Sequence, residues 1–161
     1  MEIALTGQEN YKILVVCMGN ICRSPTAEAV LKAKVKARGL AINVDSAGTI
    51  DFHQGNPPDV RSRSAGEARG YSFSGIKSRK VTLCDFEEFD LILAADNSNL
   101  DDLIVICPPQ YHSKIALYLS YGTSNISEIP DPYYGGSNGF EIVLDLIEDA
   151  TDVLLDSFQK G

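Results

Sequence analysis

The stretch VVCMGNICRSPTAEA, Val15 to Ala29, constrains the fold more than any other part of the chain. An apolar, β-branched run ends at Cys17, passes through Gly19 and Asn20, and delivers Arg23 beside Ser24-Pro25. Proline suits a first helical position, because its φ is already helical and its missing N–H would have had no partner there. Ala27, Leu31 and Val35 then recur by fours until Gly39, a residue that ends helices readily. The stretch reads as a strand, a tight loop and a helix N-terminus, with a thiol and a guanidinium on one loop.

The rest of the chain repeats that alternation. YKILVV (Tyr11 to Val16) reads as a buried strand, AINVDSAG as a second and FDLILAAD (Phe89 to Asp96) as a third, with KIALYLS a weaker fourth. Helices are expected from Ser24 to Gly39, from the loop GNPPD to near Gly70, and from NSNLDDL onward. A long final helix carries Phe140, Leu144, Ile147, Ala150, Leu154 and Phe158 on one stripe. Strand–helix alternation predicts a parallel sheet with helices on both faces, a three-layer α/β/α fold. Ligands of such sheets bind beyond the carboxyl ends of the strands, and Cys17 stands at one such end.

With 161 residues and no linker, the chain is expected to form one domain, 11–161, preceded by an N-terminal extension, 1–10. That extension lacks a basic region followed by an apolar core, so no secretory signal is expected. No apolar run approaches a membrane span. A net charge of −8 argues against nucleic-acid partners, because a phosphate backbone needs a basic face. The four cysteines, Cys17, Cys22, Cys84 and Cys107, form no C-x-x-C pair, so neither a zinc site nor a disulfide framework is expected. A reducing cytoplasm is the expected setting.

The loop itself suggests chemistry. A helix N-terminus offers backbone N–H groups and a partial positive charge to anions. Gly19 and Asn20 tolerate left-handed backbone, so Met18, Gly19, Asn20, Ile21 and Cys22 can curl into a nest of amides. Arg23 adds a fork of donors matched to two oxygens of a tetrahedral oxyanion. The same dipoles and cation favour thiolate over thiol, which makes Cys17 the expected nucleophile at the floor of an anion cradle. Other phosphate loops are excluded, since neither G-x-x-x-x-G-K-[ST] nor G-x-G-x-x-G occurs. The bland alternative is a buried cysteine before a glycine turn and a surface arginine.

VCMGNICRSPTAEA resembles the signature of the low-molecular-weight protein tyrosine phosphatases, and DPYYGG (Asp131 to Gly136) resembles that family's general-acid loop. VDSAG, GNPPD and FDLILAAD–NSNLDDL match in order and spacing, so the similarity runs from about Tyr11 to the end. It implies a four-stranded sheet in flavodoxin-like order and a two-step reaction without metal or other cofactor. Cys17 would form a cysteinyl-phosphate, with Arg23 and the amides from Met18 onward holding the phosphoryl oxygens. Asp131 would be the general acid and then the general base. Ser24 would support the sulfur, or simply cap the helix; Asn20 would brace the loop with Ser46; and Asp96 would orient Arg23 or cap a helix. Phe52, Tyr133 and Tyr134 would form an aromatic rim selecting phosphotyrosine on a protein substrate. Cys22 could trap oxidised Cys17 as a disulfide. A histidine common in the family bracing network is replaced by Ile76, while His53 and His112 read as surface residues. Arg61, Arg63, Lys77, Arg79 and Lys80 could offset the acidic charge around the cleft. The resemblance also implies a monomer or weak homodimer.

Two other functions compete. A thiol-dependent arsenate reductase uses the same loop but needs resolving thiols, and Cys84 (in VTLCDF) and Cys107 (in VICPPQ) read as core and strand edge. A non-catalytic phosphate-binding or phosphotyrosine-binding module would keep the cradle without turnover.

Overall fold

The computed structural model describes residues 11–132 and 138–159; the expected extension 1–10 and the rim residues Tyr133 and Tyr134 lie outside them. Strands β1 (Tyr11–Cys17), β2 (Ile42–Gly48), β3 (Leu91–Ala94) and β4 (Ile115–Leu117) form one parallel sheet in the order β2-β1-β3-β4. β1 is central. It pairs with β2 from Tyr11↔Ile42 to Cys17↔Gly48, and with β3 from Ile13↔Leu91 to Val16↔Ala94. The chain leaves β1 for β2 on one side and later returns to β3 on the other. The connections therefore diverge at the carboxyl end of β1, and a crevice opens there.

Successive side chains of each strand serve opposite faces. Ile13, Val15 and Cys17 of β1, with Leu91 and Leu93 of β3, pack against α1 (Arg23–Arg38) and α5 (Gly139–Gln159). Leu14, Val16, Ile92 and Ala94 pack against α3 (Leu83–Glu88) and α4 (Asn97–Ile106) through Phe86 and Leu103. Burial on both faces explains why KILVV is continuously apolar rather than alternating. α2 (Val60–Ala68) starts where Asp59 accepts the amide hydrogens of Arg61 and Ser62. Gly39 ends α1 at φ 66°, a left-handed cap whose amide reaches the carbonyls of Val35 and Lys36.

The third strand is shorter than Phe89 to Asp96, because Phe89 closes α3 and Asp96 caps α4. Helix α3 adds to the expected elements, and Thr82 and Asp85 start it with a reciprocal capping box, T-x-x-D. It carries Cys84 to an exposed position rather than into the core, and Cys107 closes α4 rather than edging a strand. α1 is capped by Cys22, so Ser24 lies inside the first turn and is not the N-cap. Phe140 leaves the buried stripe of α5 and stacks instead under the Arg61 guanidinium, 5.5 Å from the ring centre. Among the described residues, no helix is long and apolar enough to cross a membrane.

Ile147 is fully buried where α5 meets the sheet. Ile147→Ala should cost about 2–5 kcal/mol, read from the midpoint of urea unfolding at unchanged slope.

Candidate active site

The run from Cys17 to Arg23 is held from outside, carbonyl by carbonyl. The carbonyl of Cys17 accepts from Thr49 N at 3.0 Å, that of Met18 from Ile50 N at 3.1 Å, and that of Ile21 from Asp59 N at 2.8 Å. The Gly19 carbonyl takes the Ser78 hydroxyl at 2.9 Å, and the Cys22 carbonyl takes both Thr26 N and Thr26 Oγ1. In a trans peptide the carbonyl and the following N–H point opposite ways. Turning these five carbonyls outward aims the amides of Met18, Gly19, Asn20, Cys22 and Arg23 at the concave side. Asn20 makes the curl possible at φ 56°, the one non-glycine residue with positive φ among those described.

The open cavity that the loop surrounds, about 170 Å³, is lined by Cys17 through Arg23 together with His53, Asp131 and Pro132. Cys17 is 3% exposed at its floor, with Sγ 3.0 Å from Ser24 Oγ. Asn20 Nδ2 donates to Ser24 Oγ at 2.8 Å and to Ser46 Oγ at 2.9 Å, while its Oδ1 accepts from Arg79 N at 3.0 Å. Arg23 Nη1 donates to Asp96 Oδ2 at 2.8 Å and to the Ile129 carbonyl at 3.0 Å. Burial alone would lower the Arg23 pKa; its bond to Asp96 and the neighbouring Cys17, Asp96 and Asp131 outweigh that and raise it. The guanidinium is a fixed cation. Asp96 serves two ends at once, since its Oδ1 also accepts Asn99 N at 2.8 Å as the cap of α4.

The structure thus brings together Cys17, the loop Met18 to Cys22, Arg23, Ser24, Ser46, Asp96 and Asp131. Phe52 does not line the cavity: it is 85% exposed and meets the His53 ring edge-on at 6.0 Å. His53 is the residue sequence reasoning missed. It is no ordinary surface residue but part of the cavity wall, standing so close to Gly19 that a Cβ there would lie 3.1 Å from its ring. His112, by contrast, bonds the Cys107 carbonyl far from the loop. Arg79 is not a mobile cleft cation, because its guanidinium is committed to Asp45 and Asp85. Ile76 is buried with Ala29 and Phe73 and contributes nothing polar to the bracing network. All four cysteines are thiols.

A family model for low molecular weight phosphotyrosine protein phosphatase matches residues 12–161. The human low molecular weight phosphotyrosine protein phosphatase is 42% identical over 144 residues, covering 84% of this chain and 88% of that protein. YfkJ of Bacillus subtilis, a low molecular weight protein-tyrosine-phosphatase, is 40% identical over 151 residues, covering 92% of this chain and 96% of its own. The crystal structure of a protein tyrosine phosphatase from Entamoeba histolytica with Hepes in the active site superposes with a TM-score of 0.88 at 45% identity. It covers 94% of this chain and 98% of that one.

Gly48, where β2 ends, is the tightest contact behind the loop: a Cβ there would lie 2.6 Å from the Met18 carbonyl oxygen and 3.1 Å from that of Ile50. Both are backbone atoms that cannot swing aside, so Gly48→Ala must displace the loop. A displacement near 1 Å can cost about 100-fold in a positioned site. Inorganic phosphate titrated by calorimetry should bind Gly48→Ala at least about tenfold more weakly.

Proposed function

The chain belongs to the low molecular weight phosphotyrosine protein phosphatases, a family of hydrolases, and on that premise we propose a role for each residue of its cavity. The observation that carries the reading is the run Cys17–Arg23 closing around one cavity with its carbonyls turned outward and Asp131 across from the thiol's loop. Cys17 Sγ attacks phosphorus, forming a P–S bond as the bond to the phenolic oxygen breaks. Asp131 gives its proton to the departing phenolate. Water then attacks the cysteinyl-phosphate, Asp131 takes a proton from that water, and the P–S bond breaks to release phosphate and thiolate.

Charge develops on the equatorial oxygens during both steps, and the loop amides with Arg23 supply fixed donors for it. Their role is what a metal ion would otherwise fill, so we assign the reaction as metal-independent. Asp96 and the Ile129 carbonyl hold the Arg23 fork in one orientation, which leaves its remaining donors for the phosphoryl group. Ser24 donates to the sulfur and eases its departure in the second step. Residues 11–161 act as one catalytic domain. The substrate is a phosphotyrosine of a protein, whose ring passes His53 as it leaves the cavity. We place the enzyme in the cytoplasm as a monomer or weak homodimer. Cys22 lines the same cavity, so after peroxide converts Cys17 to a sulfenic acid the Cys22 thiol can displace water and close a disulfide.

Arsenate reduction fits less well. Cys84 is exposed on α3 and Cys107 is buried at the end of α4, and neither lines the cavity that holds Cys17. Arsenate-dependent oxidation of thioredoxin would be the result that favours it. A binding module without turnover has no use for Asp131 in the cavity.

Hydrolysis of p-nitrophenyl phosphate should persist in EDTA, and rapid quenching should yield a phosphate adduct on the Cys17 peptide. Cys17→Ser should abolish turnover; near wild-type activity in that variant would sink the covalent route. Asp131→Asn should slow esters of poor leaving groups most, by about 10²–10⁴-fold, while sparing substrate binding, as read from a leaving-group series.

A further inference from the structure

The hydrogen bonds around Asn20 do not stop at the loop. Ser46 Oγ, which accepts from Asn20, donates to Glu28 Oε1 at 2.5 Å. The other oxygen of Glu28 meets Lys32 Nζ at 2.5 Å, one turn further along α1. A continuous chain of contacts therefore joins a cation near solvent to the sulfur of Cys17. The Glu28 side chain is 3% exposed and that of Lys32 is 48% exposed.

The sense of each bond follows from its ends. An ionised carboxylate can only accept, so Ser46 must spend its one proton on Glu28. Ser46 can then only accept from Asn20, which requires the amide nitrogen on that side. The Arg79 amide requires the oxygen on the other side, so the Asn20 side chain has one orientation. Its second N–H occupies a lone pair of Ser24, and the Ser24 proton is left to point at Cys17 Sγ. The Glu28 carboxylate and the Arg79 amide, at opposite ends of the Asn20 side chain, together set this polarity.

The Glu28 carboxylate is buried. A carboxylate this far from water is strongly unfavourable unless a counter-charge and hydrogen bonds compensate. Ile76 supplies neither. Lys32 is the one cation paired with Glu28 among the described residues. An ordinary exposed pair at this helical spacing would matter little, but one partner here is buried. We infer that Lys32 is a positioning residue for the nucleophile, acting through Glu28, Ser46, Asn20 and Ser24. The inference rests on the reading of Cys17 as that nucleophile.

The test compares Lys32→Met, Lys32→Arg and Lys36→Met with the wild-type chain. Lys36 lies one turn further along the same helix and serves as a control for surface charge. Two quantities are measured: kcat and KM on p-nitrophenyl phosphate, and the rate at which iodoacetate alkylates the Cys17 peptide. Lys32→Met should lower kcat and the alkylation rate together, by roughly 3- to 30-fold, with KM changed less than about twofold. Lys32→Arg should restore both, and Lys36→Met should match wild type. A helix-stabilising role alone would move the unfolding midpoint but neither of these quantities. Wild-type alkylation in Lys32→Met, or an equal loss in Lys36→Met, overturns the inference. Turnover that survives complete alkylation of Cys17 overturns the nucleophile assignment instead, and the inference with it.

Discussion

A trans peptide cannot present its carbonyl and its N–H on the same side, and the anion cavity depends on that constraint. Apart from Asn20, no residue of the loop needs a special side chain to aim its amide inward. What is needed is a donor outside for every carbonyl that must turn away. Thr49, Ile50, Asp59, Ser78 and Thr26 supply those donors from four separate places in the sequence. The cost of the curl is concentrated at Asn20, whose left-handed backbone is held by three side-chain hydrogen bonds.

Electrostatics explains how an acidic protein can receive an anion. The net charge of −8 sets an unfavourable distant field, but a short-range well needs only a few fixed dipoles and one cation in a partly desolvated site. Arg23 is such a cation, and the negative charges beside it hold it ionised while Asp96 fixes its direction. Much of the surface charge is paired elsewhere. Arg69 bridges Glu141, Asp145 and Glu148 of α5, and Arg38 reaches Asp152 and Asp156, so these groups tie helices together rather than shape the cleft.

The fold and the centre of the site were legible because both are written in short-range signals. The apolar runs, Ser24-Pro25, Gly39 and the Cys17-to-Arg23 spacing each report on local backbone geometry, and the sheet order followed from the family resemblance those motifs carry. What was not legible is contact between distant segments. Nothing in the text around His53 separates a cavity wall from a surface loop; its place comes from the packing of that loop against Gly19. Arg79 reads as a cleft cation because Asp45 lies 34 positions away on β2, and Asp85, six positions on, meets it only through the placing of α3. The capping box of α3 is a local signal, T-x-x-D, and the helix it starts carries Cys84 to the surface rather than into the core.

The segment Ser78 to Val81 gives the cavity an unusual kind of rigidity. Its backbone bonds both N–H and C=O of Gly48 at the end of β2, its Ser78 hydroxyl and Arg79 amide grip the loop, and the Arg79 side chain ties β2 to α3. Local opening of the loop cannot then proceed as the fraying of an isolated surface turn. It has to break contacts with the sheet and with a helix on the opposite layer at the same time. Amide hydrogens of the loop should consequently exchange with solvent water as part of a cooperative unit that includes the central strands, rather than at the fast rates typical of ligand-binding loops.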